Sequence, residues 1–280
     1  MTKEQIIQNF DPSQPGLADA TIFGLPFSAE QSEIIIIPVP WEVTVSYGAG
    51  ASDGPEAILD ASFQVDLNHQ NFPELWKLGM YYAEIPSTWK TNSDKYKALA
   101  QPIIEALEAG EDLNNHPTLL ADLATINKVC RDLHTQVKET VLHWMNQGKK
   151  VVLLGGDHST PLGYYEALAT KHSDFGILHL DAHMDLRIAY EGFTYSHASI
   201  MYNALQIPQI SKIVQVGIRD FCEQEVEVVK NENGRVLIHT DSDLKAEIFE
   251  GKTWQQQCDV IIASLPQKVS ISFDIDGMYP

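Results

Sequence analysis

A run of β-branched residues early in the chain most limits the fold that this sequence can adopt. Residues Ile34 to Val39 are continuously apolar, which is typical of a strand buried on both faces of a sheet. Similar runs recur further along: Lys150–Leu154, Gly176–Leu180, Lys212–Val216, Arg235–Ile238 and Val269–Phe273. Strands of this kind indicate a parallel sheet that other elements cover on both sides.

Helical patterns separate these apolar runs. From Leu123 to Gln147, apolar residues recur every three or four positions, as on the buried face of a helix. Shorter helices are predicted to begin at Gly54-Pro55 and at Ser159-Thr160-Pro161. Strands that alternate with helices predict an α/β fold, here a single three-layer α-β-α domain with a mostly parallel sheet that covers residues 1–280.

The charge and composition of the chain limit its partners. The formal net charge is −19, and nucleic-acid binding needs a basic surface, so we expect no nucleic-acid partner. A metal cation or a small cationic substrate is compatible with this charge. We find no apolar run near the roughly 20 residues that span a membrane, and no secretory leader. The scattered cysteines suit a reducing compartment, so a cytoplasmic location is expected.

Potential metal ligands directly follow three of the predicted strands. The three segments are Gly155-Gly156-Asp157-His158-Ser159, Asp181-Ala182-His183-Met184-Asp185 and Asp274-Ile275-Asp276. In an extended chain, side chains two positions apart point the same way, so the ligands within each of the last two segments can converge. Ligands of open α/β sheets gather at the carboxyl ends of the strands. The sequence therefore predicts a site at this edge.

Divalent cations would resolve the crowding of acidic side chains at such a site. Four carboxylates close together repel one another, and burial would force some of them to bind protons. A set of imidazoles and carboxylates without thiolate suits Mn²⁺, with Ni²⁺ or another divalent metal as an alternative. The predicted ligands are His158, Asp181, His183, Asp185, Asp274 and Asp276. Asp157 is predicted to cap or support its turn, and a chance grouping of ordinary turn residues is the alternative reading of all six.

These motifs resemble the metal-binding signatures of the ureohydrolase (arginase/agmatinase) family. The glycine-rich stretch Ser46–Gly50, followed by Gly54–Ile58, is similar to the opening loop and first helix of that family. Three further segments are closest to the agmatinase branch: Asp185–Arg187, Tyr195–Ala198 and Gln215–Arg219. The resemblance spans roughly Ile34 to Pro280, nearly the whole chain.

The resemblance implies a binuclear manganese centre. One Mn²⁺ would be held by His158, Asp181, Asp185 and Asp274, and the other by Asp181, His183, Asp274 and Asp276. Asp181 and Asp274 would then bridge the two ions. In such centres, two metals about 3.5–4 Å apart hold the attacking oxygen between them.

The implied reaction is hydrolysis of a guanidino C–N bond by a metal-bridged hydroxide. His197 stands where the family places its proton-shuttling histidine, and imidazole is suited to proton transfer near neutral pH. The first substrate expected is agmatine, which would give putrescine and urea. Formimidoylglutamate, guanidinobutyrate, arginine and free guanidine are alternatives. A homo-oligomer, trimeric or hexameric, is also implied.

Two other readings remain at this point. The zinc deacetylases share this general fold, but they use one catalytic metal and fewer carboxylates, so the six predicted ligands disfavour that enzyme class. A non-catalytic metal-binding relative is the second alternative.

The chain departs from the family pattern at its end. Family members continue beyond the third motif, so we expect the C-terminal portion of the fold to be absent and the chain to be part of a longer protein. No match for the family's substrate-binding carboxylate precedes Pro280. Tyr279 stands where an aspartate is common, but that aspartate is not among the six predicted ligands.

Overall fold

The computed structural model describes residues 1–16 and 20–278, so Tyr279 lies outside the described residues. The chain divides into two compact units, Met1–Thr160 and Pro161–Pro280, and each contains its own parallel sheet. That the two units act as one domain stays a prediction. Among the described residues, no helix combines the length and the apolar character needed to cross a bilayer.

Three parallel strands form the sheet of the first unit, in the order β2-β1-β3. The strands are β1 (Ile34–Val39), β2 (Met80–Tyr82) and β3 (Lys150–Gly155). The helices are α1 (Lys3–Asn9), α2 (Gly54–Ser62), α3 (Thr88–Glu108) and α4 (Pro117–Asn146). The side chains of β1 from Ile35 onward are buried, as its continuous apolar run predicts for a central strand.

Two elements of this unit differ from the sequence pattern. Helix α4 begins at Pro117, earlier than the predicted Leu123, because proline is well accommodated in the first turn of a helix. Helix α3 was not predicted; Pro102 lies in its interior, where proline is unfavourable. Tertiary packing outweighs that local signal: Trp89, Ile103 and Ile104 of α3 are almost fully buried.

Four parallel strands form the sheet of the second unit, in the order β6-β5-β4-β7. The strands are β4 (Phe175–Leu180), β5 (Ile210–Ile218), β6 (Val236–Thr240) and β7 (Val269–Phe273). The helices are α5 (Leu162–Lys171), α6 (Ile200–Leu205), α7 (Glu223–Asn231), α8 (Asp241–Phe249) and α9 (Trp254–Ala263). These strands confirm the predicted parallel α/β class. Strand β4 lies between β5 and β7, so elements that follow either neighbour can reach its carboxyl end.

In the first unit, the buried carboxylate of Glu42 organises the glycine-rich loop that follows β1. Glu42 is 5% exposed, and it accepts hydrogen bonds from the backbone N–H groups of Gly50 at 2.8 Å and Ser52 at 3.2 Å. Its other oxygen pairs with the Lys97 ammonium on α3. Burial raises the pKa of this carboxyl, but the hydrogen bonds from Lys97, Gly50 and Ser52 outweigh burial and hold the pKa below its usual value.

We predict that Glu42→Gln lowers the free energy of unfolding at neutral pH by about 2 kcal/mol, because it removes the charge that Lys97 and the loop amides require. The folded-state pKa is depressed, so this contribution is present above the ordinary pKa of 4.5 and is lost as the pH falls through the lower folded value. Urea denaturation at neutral and acidic pH measures both effects. Exposed Glu84→Gln is the control, and equal stability of the two variants at neutral pH would contradict the prediction.

Candidate metal centre

Asp181, the first residue after β4, is oriented by the protein on both carboxylate oxygens. It is 1% exposed. One oxygen, Oδ1, accepts a hydrogen bond from the backbone N–H of His183 at 2.7 Å. The other oxygen, Oδ2, is hydrogen-bonded to Nε2 of His179 at 2.7 Å. The carboxylate therefore has a defined orientation before any cation binds, which is the arrangement that strong metal sites require.

A buried glutamine orients His179 in turn. Gln215 on β5 is paired in register with His179 on β4, and both are 0% exposed. The Gln215 amide nitrogen is 2.8 Å from Nδ1 of His179 and donates to the Met184 carbonyl at 2.6 Å. An amide donor facing Nδ1 makes that nitrogen an acceptor, so the network places the ring proton on Nε2, where it can be donated to Asp181.

The hydrogen-bonded series Gln215, His179 and Asp181, called the relay below, was only partly predictable from the sequence. His179 is polar within an apolar run, so a structural hydrogen bond is expected there, but the sequence analysis did not identify Gln215 as its partner. The signal that could have found it is the single polar residue within each of two apolar runs, Ile177–Leu180 and Ile213–Val216. A polar side chain in a fully buried strand needs a partner, so two such residues on neighbouring strands predict each other.

Asp185 turns the loop back toward Asp181. Its backbone is left-handed, with φ of 54°, which is uncommon for a residue other than glycine. Its carbonyl accepts hydrogen bonds from Met201 at 3.0 Å and Tyr202 at 3.2 Å, in the first turn of α6. Strand alternation predicted that Asp185 converges with Asp181 because the segment is extended. That reason is wrong, since the extended backbone ends before Asp185.

Among its residues up to Met278, the second unit contains two overlapping groups of potential ligands, and within each group the ligand atoms lie within 4.8 Å of one another. One group includes the buried residues His179, Asp181 and Asp185. The other group consists of Asp181, His183 and Asp276, of which the last two are exposed. Asp181 belongs to both groups, as a bridging ligand would.

His183 already interacts with two carboxylates in this arrangement. Its Nδ1 is 3.0 Å from Asp276 Oδ2 and 3.5 Å from Asp181 Oδ1. The hydrogen bonds to Asp181 and then Asp276 raise the pKa of His183 to about 10. In the absence of a metal ion, the proton on this imidazole supplies the positive charge that the carboxylates favour.

The turn after β7 brings Asp276 to the end of β4. Asp276 Oδ1 accepts a hydrogen bond from the Ala182 N–H at 3.2 Å. Gly277 permits this approach, because a Cβ at that position would lie 3.0 Å from the backbone nitrogen of Asp181. Asp274 donates its backbone N–H to Leu180, and its side chain accepts from the Asp276 N–H at 3.3 Å. Neither of the two groups described above includes Asp274, so its role as a ligand stays a prediction.

His158 lies in the first unit, in a tight turn directly after β3. A Cβ on Gly156 would come within 2.0 Å of the Trp41 carbonyl oxygen, so only glycine allows this turn to pack there. Asp157 accepts a hydrogen bond from the Ser159 N–H at 2.9 Å, the local supporting role predicted for it. That His158 joins the ligands of the second unit stays a prediction.

His197 lies in a loop that returns to the segment after Asp185. The backbone N–H of Arg187 donates to the Ala198 carbonyl at 3.1 Å. The Arg187 guanidinium lies 5.0 Å from the centroid of the Tyr190 ring, and that ring stands at 71° to the His197 imidazole. Arg187 therefore packs against an aromatic face, and the role of His197 as a proton shuttle stays a prediction.

The chemistry of these donors fits a pair of divalent cations of the manganese type. Asp181, Asp185 and Asp276 would supply hard oxygen ligands, and His183 would supply a borderline nitrogen. Neither group contains a thiolate, the ligand that would favour a softer ion. A metal ion would take over the charge compensation that the His183 proton now provides.

We predict that Gln215→Met lowers the free energy of unfolding by about 2 kcal/mol, because it leaves His179 Nδ1 and the Met184 carbonyl without their buried donor. Urea denaturation of the metal-free protein measures the change. Gln206→Met is the matched control, since Gln206 is exposed and donates only to a carbonyl on its own helix. A loss no larger than that of the control would show that the relay contributes nothing to stability.

Comparison with known proteins assigns the chain to a family. A sequence profile of the arginase family matches residues 32–280. An N(1)-aminopropylagmatine ureohydrolase from Synechocystis sp. is 26% identical over 256 residues, covering 90% of this chain and 70% of the relative. An agmatinase from Bacillus subtilis is 34% identical over 144 residues, covering 51% of this chain and 46% of the relative.

Solved structures share the fold. Agmatine ureohydrolase of Thermoplasma volcanium superposes with a TM-score of 0.63 at 20% identity, covering 96% of this chain and 73% of that chain. Formiminoglutamase of Trypanosoma cruzi, determined with Mn²⁺, gives a TM-score of 0.60 at 15% identity, covering 86% and 69%. These matches confirm the predicted arginase-like fold, and the relatives confirm the predicted hydrolase class. Because the family match extends over most of its length, this chain belongs to the arginase family.

Proposed function

We propose that the chain is a binuclear manganese hydrolase that cleaves a guanidino C–N bond, with agmatine as the first substrate and putrescine and urea as the products. The observation that carries this proposal is the convergence of Asp181, His183 and Asp276 within 4.8 Å, with Asp185 grouped on the buried side of Asp181. His158 and Asp274 complete the proposed ligand set. A homo-oligomer and a cytoplasmic location belong to the same proposal.

The protein's contribution to the reaction is to orient these ligands and to concentrate negative charge. When bound, a pair of divalent cations lowers the pKa of a water held between them, so that hydroxide is available near neutral pH. Asp181 would help to hold these cations, and both of its oxygens are already oriented, by His179 and by the His183 N–H. The net charge of −19 favours the approach of the cationic guanidinium group.

Departure of the amine requires a proton donor, and we assign that role to His197. An imidazole changes its protonation state near neutral pH, so it can donate a proton to the leaving nitrogen and recover it from water. The loop of His197 is hydrogen-bonded to the backbone just after Asp185, through Arg187 and Ala198. That contact supports a place for His197 beside the ligand segment.

A second substrate is favoured by a specific observation. Relatives that match 90% of the chain, from Synechocystis sp. and Thermus thermophilus, are named N(1)-aminopropylagmatine ureohydrolases. That compound carries the guanidino group of agmatine with one more cationic arm, so the bond cleaved is the same. Urea release measured in parallel from agmatine, N(1)-aminopropylagmatine, arginine and guanidinobutyrate distinguishes the candidates, and formamide release tests formimidoylglutamate. A chain that binds metal and releases no product from any of them would support the non-catalytic alternative.

We predict that Asp181→Asn and Asp274→Asn each abolish urea release and lower metal occupancy, because each removes a charge from a proposed bridging ligand. Metal content after dialysis and urea release are the two measurements. Asp174→Asn, an exposed position just before β4, is the control and should match the wild type. Turnover at the wild-type rate in the Asp274→Asn variant would remove that residue from the ligand set.

We predict that His197→Phe retains both metal ions and lowers kcat about 100-fold or more, the usual contribution of a general acid. His143→Phe, on the exposed face of α4, is the control for loss of an imidazole. Metal content and kcat are measured together. Unchanged kcat would exclude His197 as the proton donor, whereas lost metal would make it a structural residue of the centre.

We predict that Mn²⁺ affinity rises with pH between about pH 7 and about pH 8.5, because the metal must displace the proton of His183. The pKa of His183 in the metal-free protein is raised to about 10, so the imidazole is mostly protonated across that range and competition weakens as the pH rises. Calorimetric titration in buffers of different ionisation enthalpy should also detect proton release. Affinity independent of pH, with no proton released, would place His183 outside the ligand set.

A further inference from the structure

We propose that Glu225 is a positioning residue of the candidate metal centre, whose carboxylate holds Asp185 in the left-handed conformation needed to bind a cation. This inference rests on the proposed function, since it assigns a task to a residue that supports one of the proposed ligands. Glu225 lies in the first turn of α7, 39 positions from the residue that it contacts in the metal loop.

The side chain of Glu225 is buried, and it is used on both oxygens. It is 3% exposed. Its Oε1 accepts a hydrogen bond from the backbone N–H of Leu186 at 3.0 Å, and its Oε2 accepts from the N–H of Cys222 at 2.9 Å. A buried carboxylate is tolerated when it receives hydrogen bonds of this kind, which are stronger than those between neutral groups. Glu225 thus joins the start of α7 to the loop after β4.

The contact is made at the peptide that follows Asp185. With φ of 54°, Asp185 occupies a backbone region that is unfavourable for a residue with a side chain, so neighbouring interactions must hold it there. The Asp185 carbonyl is bound by Met201 and Tyr202, and the next N–H is bound by Glu225. Without Glu225, the Leu186 N–H would be buried without this acceptor, and the loop could relax toward a right-handed conformation that turns the Asp185 carboxylate away.

The effect should fall on one of the two proposed cations. Asp181, His183 and Asp276 are oriented by contacts that do not involve Glu225, namely the His179 bond, the Ala182 N–H and the close approach of Gly277. Asp185 belongs only to the other group. A defect at Glu225 therefore weakens the ion bound through Asp185 and spares the ion bound through His183.

Glu225→Gln tests the proposal, because glutamine has one acceptor oxygen where two N–H donors must be satisfied. Stepwise Mn²⁺ titration of the metal-free chain, followed by the electron paramagnetic resonance signal of free Mn²⁺, gives two dissociation constants. We expect one of them to rise roughly 10- to 100-fold, as for other residues that support a metal ligand, and the second to change little. Saturating Mn²⁺ should restore kcat.

Glu223→Gln is the matched control. Glu223 lies in the same first turn of α7 and carries the same charge, but its side chain is exposed. Two unchanged dissociation constants in this variant would attribute the effect to the contact with Leu186 and not to the charge at the start of the helix. If Glu225→Gln fails to fold, Glu225→Asp retains the charge with a side chain too short to reach both donors, and the same selective loss is expected.

Three outcomes separate the claims. A wild-type chain that binds two ions, with Glu225→Gln binding both at unchanged affinity, would overturn the role of Glu225 and leave the proposed function intact. An equal loss at both sites, accompanied by a lower unfolding temperature of the metal-free variant, would also overturn it, because the residue would then be merely structural. A wild-type chain that binds no Mn²⁺ would overturn the proposed function itself.

Discussion

The candidate centre depends on the hydrogen bonds that orient the Asp181 carboxylate. One oxygen is bound by His179, which is in turn bound by Gln215, and the other oxygen is bound by the N–H of His183. The position of β4 between β5 and β7 makes the site possible. Strand β5 supplies Gln215 on one side, and the turn after β7 supplies Asp276 on the other. A ligand constrained in this way loses little conformational freedom when a cation binds, which is the physical meaning of a preorganised site.

Much of this arrangement could be predicted from local pattern. A continuous apolar run identified the strand Ile34–Val39, because a strand buried on both faces is apolar throughout. The strand Val269–Phe273 was also located, although its burial alternates and its apolar side chains are exposed. Acidic residues directly after such runs indicated the ligand-bearing edge, because parallel strands end at a common edge. The adjacency of β4 and β7 could not be predicted this way. Strand order is decided by long-range packing, and nothing near Asp181 indicates that Asp276 will meet it.

Other features depend on interactions that leave no mark in a local window. The left-handed backbone of Asp185 is maintained by α6 and by Glu225, which are far from it in sequence. Strand alternation assumes an extended backbone. It therefore predicted the convergence of Asp185 with Asp181 from a conformation that Asp185 does not adopt. Helix α3 was not predicted either; Pro102 is unfavourable inside an isolated helix, and burial of Trp89 and Ile103 compensates in the folded chain.

The conformation of Asp185 also limits how the metal preference of this centre could be changed. The left-handed region is tolerated best by glycine, then by asparagine, aspartate and histidine, whose short polar side chains suit it. Glutamate would preserve the charge of Asp185, but its longer side chain is unfavourable in the left-handed region. Asp185→Glu, the most conservative substitution by charge, is therefore disfavoured by the backbone conformation. Histidine fits the backbone and would replace the proposed oxygen ligand with a nitrogen ligand. Asp185→His could therefore shift the metal preference toward zinc or nickel at a position where Asp185→Glu is disfavoured.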